Sequence, residues 1–352
     1  MSNRIPKALA GVAFAGRGVY RACVQTIFLL GPTAVGKSAV ALELARKLDG
    51  EIVSADSMQV YRGMDIGTAK PTPTERATVP HHLIDVCDIN EPFDVKRFVE
   101  LASAALDDIH SRGKCALVVG GTGLYVRALR HGLCEGPSRD AKLRAELERK
   151  PVAELFAELQ RVDPRTAARI DQHNPRRLVR ALEVFYATGK PIAELQKEWG
   201  RNEDGRPKDK DRRTKSGDGG QKTEDRRSET ALFCLNRERD DLYARIELRI
   251  DGQIAAKWVD EVRALMARGL EQNAMAMQAA GYRELVAHLR GELSREEAVK
   301  LIKTRTRQLA RRQLTWFRRE PDVTWIEISR DETAVDTARR VLKMLSKEMA
   351  KV

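Results

Sequence analysis

The sequence predicts an α/β protein, a P-loop parallel-sheet core covered by helices and carrying an all-helical insertion domain. Three observations predict it. Gly31-Pro32-Thr33-Ala34-Val35-Gly36-Lys37-Ser38 meets the phosphate-loop pattern G-x-x-x-x-G-K-[ST] at every specified position. The loop also has the right setting. The apolar run Thr26-Ile27-Phe28-Leu29-Leu30 reads as a buried strand before it, and Ala39 to Leu48 has helical spacing after it. Further strand-like runs alternate with helical stretches, which implies a parallel sheet with its site at the carboxyl ends of the strands.

In chain order, Glu51-Ile52-Val53-Ser54-Ala55-Asp56-Ser57 is a second strand running into a loop. Asp94 is placed to cap a helix reaching about His110, and Cys115-Ala116-Leu117-Val118-Val119 is a buried strand ending in Gly120-Gly121-Thr122-Gly123. After Pro137 the pattern is helical only. Ser138 is expected to cap one helix, and Pro151 opens another with an apolar stripe at Val152, Leu155, Phe156 and Leu159. Asn174-Pro175 pairs an N-cap with Pro at the first helical position, and Gly189 stops that helix. Arg201 to Thr230 holds no hydrophobic residue and is expected to be a disordered charged loop. Ala231 to Leu235 resumes the core, and a helical stretch runs from Asp240 to Gly269 with an expected interruption at Asp251-Gly252. Ile302, Thr306, Leu309, Gln313 and Trp316 share one helical face, Val323 to Ile328 is a late strand, and a final helix closes the chain. The domains are therefore a flexible extension at 1–25, a core at 26–136 and 231–352, a helical insertion at 137–200 and the loop at 201–230.

A chain of 352 residues suffices for one large domain with an insertion or for two domains. No apolar run reaches the length of a membrane span, so no membrane association is expected. Five scattered cysteines without C-x-x-C favour reduced thiols in a cytoplasmic protein and offer no zinc site. A net charge of +12, combined with a phosphate loop, raises the expectation of a nucleic-acid partner. The first carboxylate is Glu43, and the acid-free start carries Arg4, Lys7, Arg17 and Arg21. An organellar transit peptide, a tail and an upstream start all fit that pattern.

The phosphate loop turns successive N–H groups into one concavity, brings Lys37 to the outer phosphates and offers the Ser38 hydroxyl to Mg²⁺. Asp56, at the end of the second strand, suits a general base, an Mg²⁺ ligand or a turn cap. The strand ending Val118-Val119-Gly120-Gly121-Thr122 lacks the acid that supports Mg²⁺ in many ATPases, which weakens a phosphoryl-transfer reading. Its glycines would let backbone approach a ligand, and Thr122 offers a hydroxyl. Between Lys303 and Glu320 there is no acid while Arg305, Arg307, Arg311, Arg312, Arg318 and Arg319 crowd one helix, a pattern favouring nucleic-acid phosphate over a merely solvated face. His81-His82 lacks a third ligand at metal spacing and reads as loop or packing.

Together these motifs resemble the tRNA dimethylallyltransferase family. The resemblance runs from Gly-Pro-Thr-Ala-x-Gly-Lys-Ser at 31–38 through Ser-Ala-Asp-Ser-Met-Gln-Val-Tyr at 54–61 and Gly63-Met-Asp-Ile-Gly-Thr-Ala-Lys-Pro71. It continues with Pro80-His-His-Leu-Ile-Asp85, Val119-Gly-Gly-Thr-Gly-Leu-Tyr125 and Asn174-Pro-Arg-Arg-Leu-Val-Arg-Ala-Leu-Glu183. Gln278-Ala-Ala-Gly-Tyr-Arg283 and Thr306-Arg-Gln-Leu-Ala-Arg-Arg-Gln-Leu-Thr-Trp316 complete it.

The resemblance implies transfer of a dimethylallyl group from its diphosphate to N6 of the adenosine next to the tRNA anticodon, with the base flipped out into a channel. It implies Asp56 as the base for the N6 proton and Thr122 at the reacting region. Arg249 is the arginine on the leaving diphosphate, and Gly31 to Ser38, that is Pro32, Thr33, Ala34, Val35, Gly36 and Lys37 with their flanking Gly and Ser, are the diphosphate cradle with Mg²⁺ on Ser38. Contacts to tRNA are implied for Asp56, Ser57, Met58 and Gln59, for Arg144, and for Arg176, Arg177, Leu178, Val179 and Arg180. They are implied also for Gln278, Ala279, Ala280, Gly281, Tyr282 and Arg283, while Arg311 and Arg312 follow from the basic helix. The implied partners are the tRNA anticodon stem-loop and dimethylallyl diphosphate, bound by a monomer. A P-loop small-molecule kinase and prenyl transfer to free adenine nucleotides are the alternatives. The charged loop precedes the strand leading to Arg249.

Overall fold

The computed structural model describes residues 25–132, 140–197 and 230–349. The N-terminal segment and the charged loop, save Gln25 and Thr230 at their ends, lie outside the described residues, as does Ser138. β1 (Thr26–Leu30) leads through the phosphate loop into α1 (Lys37–Leu48), then β2 (Glu51–Ala55). α2 (Pro73–Thr78) and the short edge strand β3 (His81–His82) precede α3 (Val95–Ser111), β4 (Ala116–Gly120) and α4 (Gly123–His131). Five helices follow: α5 (Ala141–Arg149), α6 (Val152–Val162), α7 (Pro164–Ala167), α8 (Pro175–Thr188) and α9 (Ile192–Lys197). The chain then returns as β5 (Thr230–Arg237), α10 (Arg239–Ala255), α11 (Trp258–Ala267), α12 (Tyr282–Leu289), α13 (Arg295–Phe317), β6 (Thr324–Ile328) and α14 (Ala334–Met349).

The six strands form one parallel sheet in the order β3-β2-β4-β1-β5-β6. β1, β2 and β4 are buried along their whole length, which is why β1 and β4 read as nearly unbroken apolar runs, while β2 carries the buried polar residues Glu51 and Ser54. Helices cover the sheet; α1 and α14 pack together on it. Asp94 caps α3, its carboxylate accepting from the amides of Lys96 and Arg97 at 3.0 Å. At the amino end of β2, Glu51 is buried and meets Arg112, His82 at 2.8 Å and Lys114 at 3.0 Å; Arg112 above all holds its carboxyl far below the usual range. His82 thus serves packing and a hydrogen bond to Glu51, and among the described residues no three His, Cys, Asp or Glu gather as a metal group.

Two compact units result, Met1–Val126 with Gly220–Val352, and Arg127–Gly219. The division falls within α4, upstream of Pro137. The second unit has its own core, in which Leu147, Leu155, Leu159, Leu178 and Leu182 are buried and Val152 and Phe156 pack against them. α5 is capped by Asp140, whose carboxylate accepts from the amides of Lys142 and Leu143. α8 starts on the Asn174 cap and stops at Gly189, in the left-handed region at φ 68°.

One boundary differs from expectation. Asp251-Gly252 continues as helix, and the interruption falls at Ala256-Lys257, where Lys257 takes φ 68° as the N-cap residue of α11. Trp258, buried to 1 % exposure, makes the turn worthwhile by entering the core just past the break.

Candidate active site

Leu30 of β1 and Ala55 of β2 both register against Gly120 of β4, so the carboxyl ends of these neighbouring strands lie level. The loops leaving them, with faces of α10 and α13, line a cavity of about 200 Å³. The two helices run antiparallel, since Lys303 pairs with Asp251 at 2.7 Å and Arg307 with Glu247 at 2.9 Å.

That arrangement gives the cavity a direction. Along α10, Arg245 Nε donates to Ala34 O at 3.1 Å and Arg249 Nη1 to Thr33 Oγ1 at 3.4 Å. One turn further, about 6 Å along the axis, Gln253 Nε2 donates to Ile66 O at 2.5 Å and Gly67 O at 3.2 Å. On α13, Gln313 stands at the phosphate-loop end, accepting from Thr33 N at 2.9 Å and donating to Gly121 O at 3.1 Å.

At the phosphate-loop end, Gly36 takes φ 109° as N-cap residue of α1, a conformation that would strain a residue with a side chain. Ser38 is exposed and lines the cavity. Lys37 Nζ donates to the carbonyls of Gly31 at 2.9 Å and Pro32 at 2.7 Å. Burial pushes the Lys37 ammonium down to about 8, with Asp56 opposing the shift and Arg249 adding to it. Burial likewise lowers Arg249, against the attraction of Asp56. Two cations therefore stand partly dehydrated at one end of the cavity, where an anion would restore what water no longer supplies.

Asp56 is both a turn cap and a cavity group. Its Oδ1 accepts from Met58 N at 2.8 Å and Gln59 N at 3.4 Å, while the residue lines the cavity near Lys37 and Arg249. The Thr122 hydroxyl lines it too and accepts from Ser57 N at 3.3 Å. Gly120 and Gly121 serve packing as much as ligand approach. A Cβ on Gly120 would lie 2.2 Å from Ala55 O, and one on Gly121 2.2 Å from Gln313 Nε2. Gln59 accepts from Ser54 Oγ at 2.9 Å and donates to Thr68 O at 3.3 Å, tying the Asp56 turn to the Gly67–Ala69 loop. Lys70, buried beneath that loop, pairs with Asp65 and Asp85 at 2.6 Å each and donates to Tyr61 O at 2.8 Å.

The remaining sequence-selected residues divide by exposure. Gln278, Ala279 and Ala280 line the cavity, whereas Tyr282 is buried and Arg283 exposed. Leu178 and Val179 are core residues of the second unit, so their side chains are buried there and not on its surface. Arg177 is exposed, Arg180 pairs with Glu183 at 2.9 Å and Arg144 with Glu148 at 2.8 Å. On α13, Arg305 is tied to Glu284 and Arg307 to Glu247, leaving Arg311 and Arg312 exposed on the outer surface.

Sequence reasoning missed Arg237, whose Nε donates to Val35 O at 3.1 Å, and with it Arg245, Gln253, Glu261 and Gln313. The lone signal was Gln313, which with Thr306 is a polar residue on a largely apolar helical face.

The IPP transferase family profile matches residues 59–320. A tRNA dimethylallyltransferase of Geobacter metallireducens is 46 % identical over 307 residues, 86 % of this chain and 92 % of that protein. The enzyme named tRNA dimethylallyltransferase 1 of Citrifermentans bemidjiense is 44 % identical over 304 residues, covering 86 % of this chain and 92 % of its own. Among solved structures, the full-length tRNA isopentenylpyrophosphate transferase of Bacillus halodurans superposes with a TM-score of 0.63 at 36 % identity, over 93 % of this chain and 98 % of that one. A eukaryotic dimethylallyltransferase acting on tRNA gives 0.74 at 26 % identity, over 93 % and 80 %.

Proposed function

This chain belongs to the IPP transferase family, and on that premise we propose that it transfers a dimethylallyl group from dimethylallyl diphosphate to N6 of adenosine 37, beside the tRNA anticodon, releasing diphosphate. The observation that carries the reading is the direction of the cavity. Partly dehydrated Lys37 and Arg249 stand at the phosphate-loop end, Asp56 acts on both, and an uncharged wall of Gly67–Ala69 and Gln278–Ala280 closes the far end. Such a space accepts a diphosphate at one end and a neutral base at the other.

The N6–carbon bond forms as the carbon–oxygen bond to diphosphate breaks, and that bond's electron pair leaves on the diphosphate oxygen. Asp56 takes the N6 proton, since an amine conjugated with a purine is a weak nucleophile until its proton has an acceptor. Lys37, Arg249 and the loop amides that remain unpaired neutralise the growing charge on the leaving group. Gln313 and Arg249 hold Thr33, which fixes the loop before the ligand arrives. Thr122 stays with the Asp56 turn through Ser57 N and keeps that carboxylate in place.

Ser38 fits Mg²⁺, because a hydroxyl completed by phosphate oxygens and water is a set that this ion accepts. When bound, it would add to the neutralisation of diphosphate. The exposed Arg311 and Arg312, with Arg177, supply phosphate contacts for tRNA. No helix among the described residues is long and apolar enough to cross a membrane. Free, buried Cys87, Cys115 and Cys234 support a reducing compartment, and we read the protein as a cytoplasmic monomer.

The test is incubation with dimethylallyl diphosphate and unmodified tRNA beside AMP, followed by mass spectrometry. Prenylated adenosine in tRNA is expected, with diphosphate released and no ATP consumed. No tRNA product would refute the reading, and faster modification of AMP would move the activity to free nucleotides.

A further inference from the structure

Glu261, on α11, is not among the cavity-lining residues, yet it organises the far wall of the cavity. Its Oε2 accepts from the amides of Asp65 at 2.9 Å and Ile66 at 2.6 Å. Its Oε1 accepts from Gly67 N at 3.3 Å and from the Tyr282 hydroxyl at 2.7 Å. Three consecutive backbone amides converging on one carboxylate form an anion nest, here filled by the protein's own side chain. The carbonyls of Ile66 and Gly67 are held from the other side by Gln253. Both the donors and the acceptors of this short loop are therefore committed before any ligand binds.

The Tyr282 contact extends the control to a second segment. Tyr282 opens α12 just past the cavity-lining Gln278–Ala280, with the N-cap Gly281 between them, and the cavity-lining Gly67–Ala69 segment begins within the nest. Trp258 lies between the two, edge-on to Tyr282 with ring centroids 5.6 Å apart. The fit leaves no slack, because a Cβ on Gly67 would fall 2.3 Å from Trp258 Nε1 and one on Gly281 2.0 Å from Trp258 Cη2. Burial and the neighbouring Glu261 charge push the Tyr282 hydroxyl well above its ordinary range, so it remains a donor at physiological pH.

We propose that Glu261 is the positioning residue for the base-facing wall of the cavity, fixing segments 67–69 and 278–280 relative to each other through the 65–67 amides and Tyr282. Its loss loosens the acceptor end and spares the phosphate-loop end, which is built from different contacts on Arg245, Arg249 and Gln313. The inference rests on prenyl transfer to tRNA as proposed above.

The experiment is steady-state kinetics of Glu261→Ala, Glu261→Gln and Tyr282→Phe, with tRNA and dimethylallyl diphosphate varied separately, and calorimetric binding of dimethylallyl diphosphate alone. Glu261→Ala should raise KM for tRNA about tenfold or more while KM and binding for the diphosphate stay within about twofold. Glu261→Gln retains one acceptor oxygen and should recover part of the loss. Tyr282→Phe removes only the hydroxyl, keeps the ring against Trp258 and should move the tRNA KM in the same direction by a smaller factor, so the proposal remains testable if Glu261→Ala fails to fold. Equal loss for both substrates, or an unchanged tRNA KM in an active variant, would overturn the positioning role and leave the prenyl-transfer reading intact. A wild-type protein that modifies no tRNA would overturn both.

Discussion

Raising the pH from 7 to 9 should weaken binding of dimethylallyl diphosphate about tenfold, with Lys37 as the cause. Burial between loop carbonyls holds the Lys37 ammonium at about 8 in the free protein. A bound diphosphate stabilises the charged form and lifts that value, so binding takes up a proton wherever the free lysine is neutral. Affinity is thus complete below pH 8 and is lost as pH rises through it. With the bound form fully protonated, the dissociation constant grows by a factor of roughly 1.1 at pH 7 and roughly 11 at pH 9, a difference of about 1.4 kcal/mol. The ligand does not confuse the window, because the last ionisation of a phosphate ester falls near pH 6. Titration calorimetry in two buffers of unequal ionisation enthalpy should show uptake of about half a proton at pH 8 and about nine-tenths at pH 9. Lys37→Arg keeps its charge throughout and should bind with a flat profile over this range. A flat profile in the wild type, or proton release, would refute the argument.

Other outcomes follow from the same geometry. Asp56→Ala should lower single-turnover rates about 100-fold while tRNA retention on filters stays within about twofold; a proportionate loss of binding would make Asp56 a positioning group. Gln313→Leu removes the partners of Thr33 N and Gly121 O, and its KM for the diphosphate should rise by a factor corresponding to about 1–3 kcal/mol. Double replacement of Arg311 and Arg312 by Ala should weaken tRNA binding and reduce the slope of log affinity against log salt by about 2; an unaltered slope rules out phosphate contact there. Lys70→Met strips Asp65 and Asp85 of a buried partner. Chemical denaturation should register about 3 kcal/mol, at the low end for breaking a buried pair because Asp85 keeps Arg76.

What could be read in advance was local in nature. The phosphate loop carries its geometry in adjacent residues, and β1 and β4 declare themselves because strands buried on both faces need unbroken apolar runs. Asp94 and Asn174 cap their helices with the side chain that the sequence displays. Gly252 is the weaker helix former locally, yet the chain turns at Lys257 so that Trp258 can enter the core. Leu178 and Val179 share a motif with exposed arginines, yet with Ala181 and Leu182 they form the buried stripe of α8, which only the packing of the second unit displays. Glu261 and Gln253 carry no local mark at all. Their backbone partners lie in the 65–67 loop, nearly 200 positions earlier in the chain, with separations of 194 to 196 for Glu261, and only the fold brings them together.

The position of β1 has a consequence for synthesis on the ribosome. One edge of this strand is covered by β4, but the other waits for β5, and Leu30 and Cys234 of the finished pair are separated by the whole second unit. At ordinary elongation rates of about 5–20 residues per second, the roughly 200 residues between them take about 10–40 seconds to emerge. During that interval the most apolar strand of the sheet presents an unpaired edge, the form of surface that recruits other strands. A nascent chain of this architecture therefore spends more than half of its synthesis with at least one edge of its central strand unpaired, and holdase chaperones should engage it until β5 leaves the exit tunnel.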